Sequence, residues 1–333
     1  MSRLVRFHEF GGPEVLRLEE QATPHPGAGE VRLRIQAIGL HRAEAAFRSG
    51  HYIEQARLPS RLGYEAVGVI EALGAGVEGW EVGRSVCVVP VFSMNDYGVY
   101  AEQAIVPVSS LALRPPGLGN GEAASVWMAY FTAYGALIDI AQLRAGEAAV
   151  ITAASSSVGV AAIQIARRAG AVAIAVTRTA AKRDALLAAG AQHVVVTDEE
   201  DVAAAVARIT AGKGARVVFD PIAGPGAAAL ALALAPQGIL ILYGNLSGKA
   251  GETPFPFGVA AGRGLSMRGY LVFEILRDPA RRAKAEAYIR AGLADGALQP
   301  RVDRVFGFDQ IVAAHRYLEA NQQLGKVVVS VSE

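Results

Sequence analysis

The clearest pattern in the chain lies in its second half, where short aliphatic runs alternate with segments of helical period. The runs at 148–152, 171–177, 193–197, 216–220, 239–243 and 265–270 are apolar at successive positions, not only at every second one. Strands of that kind are buried on both faces. Between the first two runs, Ala162, Ile165, Ala166 and Ala169 recur at i, i+3, i+4 and i+7, and Gly170 follows as a stop. Val202, Ala205, Val206 and Ile209 repeat that spacing before Gly212, and Gly190 closes the helix that carries Leu186 and Leu187. Strand and helix in alternation predict a parallel sheet covered on each side, a doubly wound Rossmann-type α/β domain over 126–272.

Residues 1–125 have another texture. Apolar runs at 31–38, 66–72, 85–91 and 101–106 are set off by turn clusters such as Pro24-His25-Pro26-Gly27 and Pro115-Pro116-Gly117. That is the pattern of a β-rich domain with non-parallel strands. Over 273–333 the sequence predicts a charged helix at 279–293, a strand at 299–306, a helix from Phe308 to about Asn321 and a last strand at 326–331. These strands match the N-terminal texture, so the segment is expected to return and complete the first domain.

Composition narrows the function. Lys and Arg total 32 and Asp and Glu 31, a formal charge of +1, which argues against a nucleic-acid partner or a polybasic membrane surface. Apolar residues at 52% and charged residues at 19% allow a large core and exclude a disordered chain. With one cysteine, Cys87, neither an intrachain disulfide nor a cysteine-cluster metal site is expected. The first residues hold no unbroken apolar run, and the most apolar window, 227–244, is interrupted by Pro236-Gln237-Gly238. Neither a secretory leader nor a membrane span is expected, and a cytoplasmic location is.

The run at 148–152 leads into Ala153-Ala154-Ser155-Ser156-Ser157-Val158-Gly159 and then a helix. A strand, a turn of small residues and a helix N-terminus form an anion site, because unpaired backbone N–H groups and the positive dipole end face the ligand. In the G-x-G-x-x-G fingerprint of dinucleotide sites, Ala153, Ser156 and Gly159 take the three glycine slots. The end of the next strand decides the cofactor. A carboxylate there would bind a free ribose; the chain instead reads Thr177-Arg178-Thr179-Ala180-Ala181-Lys182-Arg183. Hydroxyls and cations favour a 2′-phosphate, hence NADPH over NADH.

Beyond the turn, a set of motifs recurs in order: Gly39-Leu40-His41-Arg42-Ala43-Glu44-Ala45, Arg48-Ser49-Gly50-His51-Tyr52, Leu62-Gly63-Tyr64-Glu65-Ala66-Val67-Gly68, Gly98-Val99-Tyr100-Ala101-Glu102, Thr132-Ala133-Tyr134 and Tyr243-Gly244-Asn245. With these the chain resembles the medium-chain dehydrogenase/reductase superfamily, specifically its zinc-free quinone-oxidoreductase (zeta-crystallin-like) branch. The resemblance implies a GroES-like β-rich catalytic domain, a Rossmann domain, a homodimer, and an NADPH-dependent reductase acting on a small-molecule quinone or enone. It points to Tyr52 as the family's substrate-facing tyrosine, with Tyr64 beside it, and to His41 where the family usually carries asparagine. For the cofactor it points to Thr132, to Ser156, Ser157, Val158 and Gly159 at the pyrophosphate, and to Thr177, Arg178 and Lys182 at the 2′-phosphate. Gly244, Asn245, Phe273 and Lys326 complete that set.

Zinc-dependent relatives carry a cysteine near the position of His41 and a histidine where Tyr64 stands, and they have a four-cysteine lobe that this chain lacks. No zinc site is therefore expected. Without a Lewis acid, the acceptors that need least help are quinones and α,β-unsaturated carbonyls, which already stabilise added electron density. Two other readings stay open: a zinc-free alcohol or carbonyl oxidoreductase, and an NADPH-binding sensor or accessory protein with little turnover. Cys87 sits in an apolar strand-like run and reads as a buried small hydrophobe. His8, His25, His193 and His315 have no ligand spacing and read as structural or solvated.

Overall fold

The computed structural model describes residues 1–331. Seven strands come first: β1 (Ser2–Arg6), β2 (Arg17–Gln21), β3 (Glu30–Gly39), β4 (Glu65–Leu73), β5 (Ser85–Val88), β6 (Gln103–Pro107) and β7 (Leu111–Leu113). Six alternate with helices: β8 (Ala148–Ile151), β9 (Val172–Thr177), β10 (His193–Val196), β11 (Ala215–Asp220), β12 (Leu234–Leu242) and β13 (Ser266–Gly269). The last two are β14 (Val302–Gly307) and β15 (Lys326–Ser330). The chain forms two compact units, Met1–Met128 together with the segment from Pro300 on, and Ala129–Gln299.

In the second unit the sheet order is β10-β9-β8-β11-β12-β13, and every pairing is parallel. The chain leaves β8 toward one edge, then returns to build the other edge from β11. Such a reversal makes a switch point at the carboxyl end of β8, where doubly wound sheets open a crevice. Both faces are buried, as the runs of aliphatic residues require: on one, Val150, Ile174, Val195, Val218 and Leu240 sit in a core cluster with Val206 of the helix Val202–Ile209, and on the other Ile151, Ala173, Ala175, Val217 and Ile241 are buried. The strand around 239–243 reaches back to Leu234 across Pro236-Gln237-Gly238, and the pairing with β11 shifts register between Ala215 and Val217 to accommodate it.

In the first unit β14-β15-β3-β4-β5-β7 form a seven-stranded sheet in which β6 also pairs β3, and β1 with β2 forms a separate ribbon. The β15 strand runs antiparallel to β3, with Val328 opposite Gly39. The division between units falls at Pro300, not at 273 as the sequence texture suggests. Helices Phe273–Leu276 and Pro279–Ala294 stay with the second unit because their side chains are tied there. Arg281 pairs with Asp139 (2.5 Å), Asp295 with Arg168 (2.5 Å), and Tyr134 packs on Tyr288 at 5.1 Å between ring centroids. The stretch Asn120–Ile140 is long and apolar enough to cross a membrane, but 83% of its most apolar window is buried within the fold.

Candidate active site

The turn after β8 is built as an anion cradle needs. Ser156 caps the helix Ser157–Arg168, its hydroxyl accepting from the Gly159 N–H at 3.0 Å. A Cβ on Gly159 would lie 2.5 Å from the Ala154 carbonyl oxygen, so only glycine lets this helix pack so close to the turn. Ala153 takes a left-handed backbone, φ 44°, where the fingerprint has its first glycine; a residue with a Cβ spends about 1 kcal/mol there. Lys182 donates to Ser155 Oγ at 2.9 Å, which joins the basic stretch after β9 to the turn. Thr177 ends β9, beside β8, and Arg178 next to it is exposed. Arg183 is paired with Glu199.

The turn residues Ser156, Ser157, Val158 and Gly159 thus share one place with Lys182, and Thr177 and Arg178 lie on the adjoining strand end. Gly244 and Asn245 follow β12 on the same sheet, and Asn245 Oδ1 accepts the Ala250 N–H at 2.9 Å. Thr132 lies buried in the helix Trp127–Tyr134, and Phe273 opens the helix Phe273–Leu276, with the Arg277 guanidinium 5.6 Å from its ring centroid. Asp220 is a residue of this region that motif reading missed. It is fully buried at the end of β11, bonded to the Thr152 hydroxyl and, at 2.7 Å, to the Ala223 N–H. An apolar strand ending in aspartate beside the switch point was the available signal. The donor set of this turn fits a dinucleotide: capped helix N-terminus, small residues and an exposed cation on the next strand.

In the first unit the chain reverses at His41 between β3 and the helix Arg42–Arg48. Glu44, in the first turn of that helix, reaches back to the His41 N–H at 2.8 Å. The His41 ring lies 2.9 Å from Glu65 Oε2, and the Lys326 ammonium is 2.7 Å from His41 Nε2 and 2.9 Å from Glu65 Oε2. The Met128 N–H donates to the other oxygen, Glu65 Oε1, at 3.0 Å. Glu65 and Lys326 are 0% and 1% exposed. Burial alone would raise the Glu65 carboxyl, but the Lys326 charge and the His41 contact outweigh it and hold the group down at about 2. Lys326, expected as a cofactor contact, therefore has its charge committed to Glu65 and His41.

Tyr64 immediately precedes Glu65, so its side chain points away from that ion cluster. Its hydroxyl lies 3.4 Å from that of Tyr52, and the rings are 6.4 Å apart. Tyr64 is 1% exposed, whereas Tyr52 is half-buried. Burial pushes the Tyr52 phenol up to about 12 and lifts Tyr64 further. The loop carrying Tyr52 is latched by Glu54, which accepts from Ser93 Oγ at 2.6 Å and from Asn95 Nδ2 at 2.8 Å.

These residues do not suit zinc. Among the described residues no group of three His, Cys, Asp or Glu is arranged around a cation position, and tetrahedral zinc needs three or four converging ligands. Beside His41 and Glu65 the positive charge is already the Lys326 ammonium.

Two family descriptions match the chain: "Alcohol dehydrogenase GroES-like domain" over residues 27–116 and "Zinc-binding dehydrogenase" over 157–287. Together they define a two-domain class of dehydrogenases and reductases. A quinone oxidoreductase of Lama guanicoe is 30% identical, with 99% of this chain and 97% of that protein covered. The synaptic vesicle membrane protein VAT-1 homolog of Rattus norvegicus is also 30% identical, over 96% of this chain and 82% of that one. Among solved structures, the Escherichia coli quinone oxidoreductase complexed with NADPH superposes with a TM-score of 0.90 at 26% identity, covering 99% of this chain and all of the other. The chain belongs to the quinone-oxidoreductase branch of the medium-chain dehydrogenase/reductase superfamily.

Proposed function

We propose that this protein is a cytoplasmic, zinc-independent reductase that uses NADPH to reduce a quinone or an α,β-unsaturated carbonyl compound. The observation that carries the reading is the switch-point turn: small residues Ser156 to Gly159 on a capped helix, with Lys182 tied to it and Arg178 exposed on the next strand. In this reading Ser156, Ser157, Val158 and Gly159 hold the pyrophosphate, and Thr177, Arg178 and Lys182 hold the 2′-phosphate. Thr132, Gly244, Asn245 and Phe273 line the rest of the dinucleotide. When bound, NADPH supplies the hydride.

The acceptor then needs its developing oxyanion stabilised. A phenol that titrates at about 12 stays protonated at neutral pH, so Tyr52 serves as a hydrogen-bond donor to that oxygen and not as a source of its proton. Tyr64 fixes the Tyr52 hydroxyl, and His41, oriented by Glu65 and Lys326, supplies the second polar group. Two hydrogen-bonding side chains without a Lewis acid suffice for a quinone or enone but are weak help for a simple ketone.

The test follows NADPH consumption with a naphthoquinone, an enone and a simple ketone, each with and without a chelator. Consumption with the first two, indifferent to chelator, is expected. Turnover of the ketone alone would favour the zinc-free alcohol or carbonyl oxidoreductase, loss of turnover with chelator would overturn zinc independence, and tight NADPH binding with no acceptor reduced would favour a sensor. The reading includes a homodimer, for which Phe255 and Phe257, 58% and 73% exposed on one loop of the second unit, offer apolar surface. Light scattering at micromolar protein checks it, and a monomer would remove that part.

A further inference from the structure

We propose that Glu44 is a positioning residue for this reaction, its buried carboxylate locking the main chain of His41 and of Tyr64 into one geometry. The proposal rests on the reading that His41, Tyr52 and Tyr64 face the acceptor. Glu44 is 0% exposed and accepts three hydrogen bonds. Oε2 takes the His41 N–H at 2.8 Å and the Tyr100 hydroxyl at 2.6 Å, and Oε1 takes the Tyr64 N–H at 3.0 Å. His41 and Tyr64 stand on different segments, one closing β3 and one opening β4, and Glu44 is bonded to the backbone of both. A helix cap explains the first bond. It does not require the reach across to Tyr64, nor the buried phenol on the remaining lone pair.

The carboxylate is itself held by a chain of donors that runs from Arg48 through His315 of the C-terminal helix to Tyr100. Arg48 donates to His315 Nδ1 at 2.9 Å, so the proton of the neutral ring lies on Nε2, which faces Tyr100 Oη at 3.2 Å. Tyr100 in turn gives its proton to Glu44. Arg48 is anchored by the Gly11 carbonyl at 3.1 Å and by Glu319 at 2.9 Å. The Tyr100 ring can enter because residue 63 is glycine: a Cβ there would lie 2.4 Å from Tyr100 Cδ1, and its φ is 108°. His315 and Glu319 belong to the helix Ile311–Glu319, more than 250 residues from Glu44 in sequence. Each member satisfies the next, leaving Glu44 one orientation. Loss of the carboxylate frees two backbone segments, and a positional error of about an ångström at a reacting group is enough to cost turnover.

The experiment uses the full chain, NADPH and a naphthoquinone. Glu44→Gln replaces one acceptor oxygen by an amide that faces a backbone N–H. A tenfold or larger fall in kcat is expected, with KM for the quinone and the NADPH Kd each within twofold of the parent. Because Glu44 acts through His41 and Tyr64, adding Glu44→Gln to the variant carrying His41→Ala and Tyr64→Phe should lower its kcat no more than about twofold further. A purely structural residue would instead lower Tm and leave the kcat of the folded fraction alone. Tyr100→Phe removes one donor to Glu44 while keeping the ring, and should lower kcat three- to tenfold; it decides the matter if Glu44→Gln does not fold. Unchanged kcat in the folded variants, or the full Glu44→Gln loss still appearing on the His41→Ala, Tyr64→Phe background, overturns the proposal. Failure of the underlying reading looks different: His41→Ala, Tyr52→Phe and Tyr64→Phe would then all keep full turnover, whatever Glu44→Gln does.

Discussion

The two units bury different chemistry. In the second, among the described residues every Asp, Glu, His, Lys and Arg side chain but Asp220 stays out of the core, and the central strands of the sheet are apolar on both faces. The two cations assigned above to the 2′-phosphate, Arg178 and Lys182, sit just past β9. In the first unit His41, Glu44, Arg48, Glu65, His315 and Lys326 are all buried, and they are joined into two adjoining networks through His41 and Glu44. The difference teaches where each kind of site gets its precision. A phosphate cradle takes it from backbone geometry, so small residues and one glycine suffice. A polar reaction site takes it from side chains that orient one another, which requires charges inside the protein and full satisfaction of each.

Breaking the buried network should therefore cost most. Lys326→Met strands the Glu65 carboxylate and is expected to destabilise the protein by about 3–5 kcal/mol, the usual penalty for removing one partner of a buried ion pair; urea unfolding reads it. A loss below about 1 kcal/mol would mean that the cluster is wetter than its geometry indicates. On the other unit, Arg178→Ala should leave folding unchanged and weaken NADPH by about 1–3 kcal/mol while sparing NADH, as calorimetry would show. Equal weakening of both coenzymes would break the 2′-phosphate assignment.

Acid should find the first unit before the second. Burial, with the Arg48 charge, takes His315 from its ordinary 6.5 down to about 3. Between those values the unfolded chain binds a proton that the folded chain refuses, so stability is complete above 6.5 and falls with acidification. The slope is at most about 1.4 kcal/mol per pH unit for one proton. Glu65 adds its own loss as pH drops from 4.5 toward about 2. His315→Gln should flatten the first window and leave the second; a profile unaltered by that replacement would sink the assignment. The smallest effect is expected in the second unit. Asp201 caps the helix Val202–Ile209 through the Ala204 N–H at 2.8 Å, and Asp201→Ala should cost about 1 kcal/mol, as an ordinary cap does.

Much of the second unit was legible in the sequence. Its six strands follow the aliphatic runs, and the turn at 153–159 declared itself by small residues between a strand and a helix. What failed there was local: β12 runs back through Pro236-Gln237-Gly238 by way of a register shift, a device that periodicity does not show. In the first unit β1 and β2 are short and half-polar and β7 is only three residues long, and the apolar pattern missed them. Tyr52, Tyr64 and His41 were named from motif resemblance, and the structure joins Tyr52 to Tyr64 and His41 to Lys326. Glu44, Tyr100, Arg48 and the role of His315 were not found, because nothing in the spacing of those residues says that they meet.

The amino-acid sequence by itself determined the two textures, the parallel sheet with its turn of small residues, and the basic strand end where a carboxylate is missing. Those follow from neighbours in sequence: hydrophobic period, capping and backbone permissiveness act within a few residues. Only the tertiary structure decided that the Lys326 ammonium lies beside His41 and Glu65, and that His315 meets the Tyr100 hydroxyl that donates to Glu44. Contacts between residues about 285 and 267 positions apart are fixed by sheet order and long-range packing, for which one-dimensional spacing carries no signal.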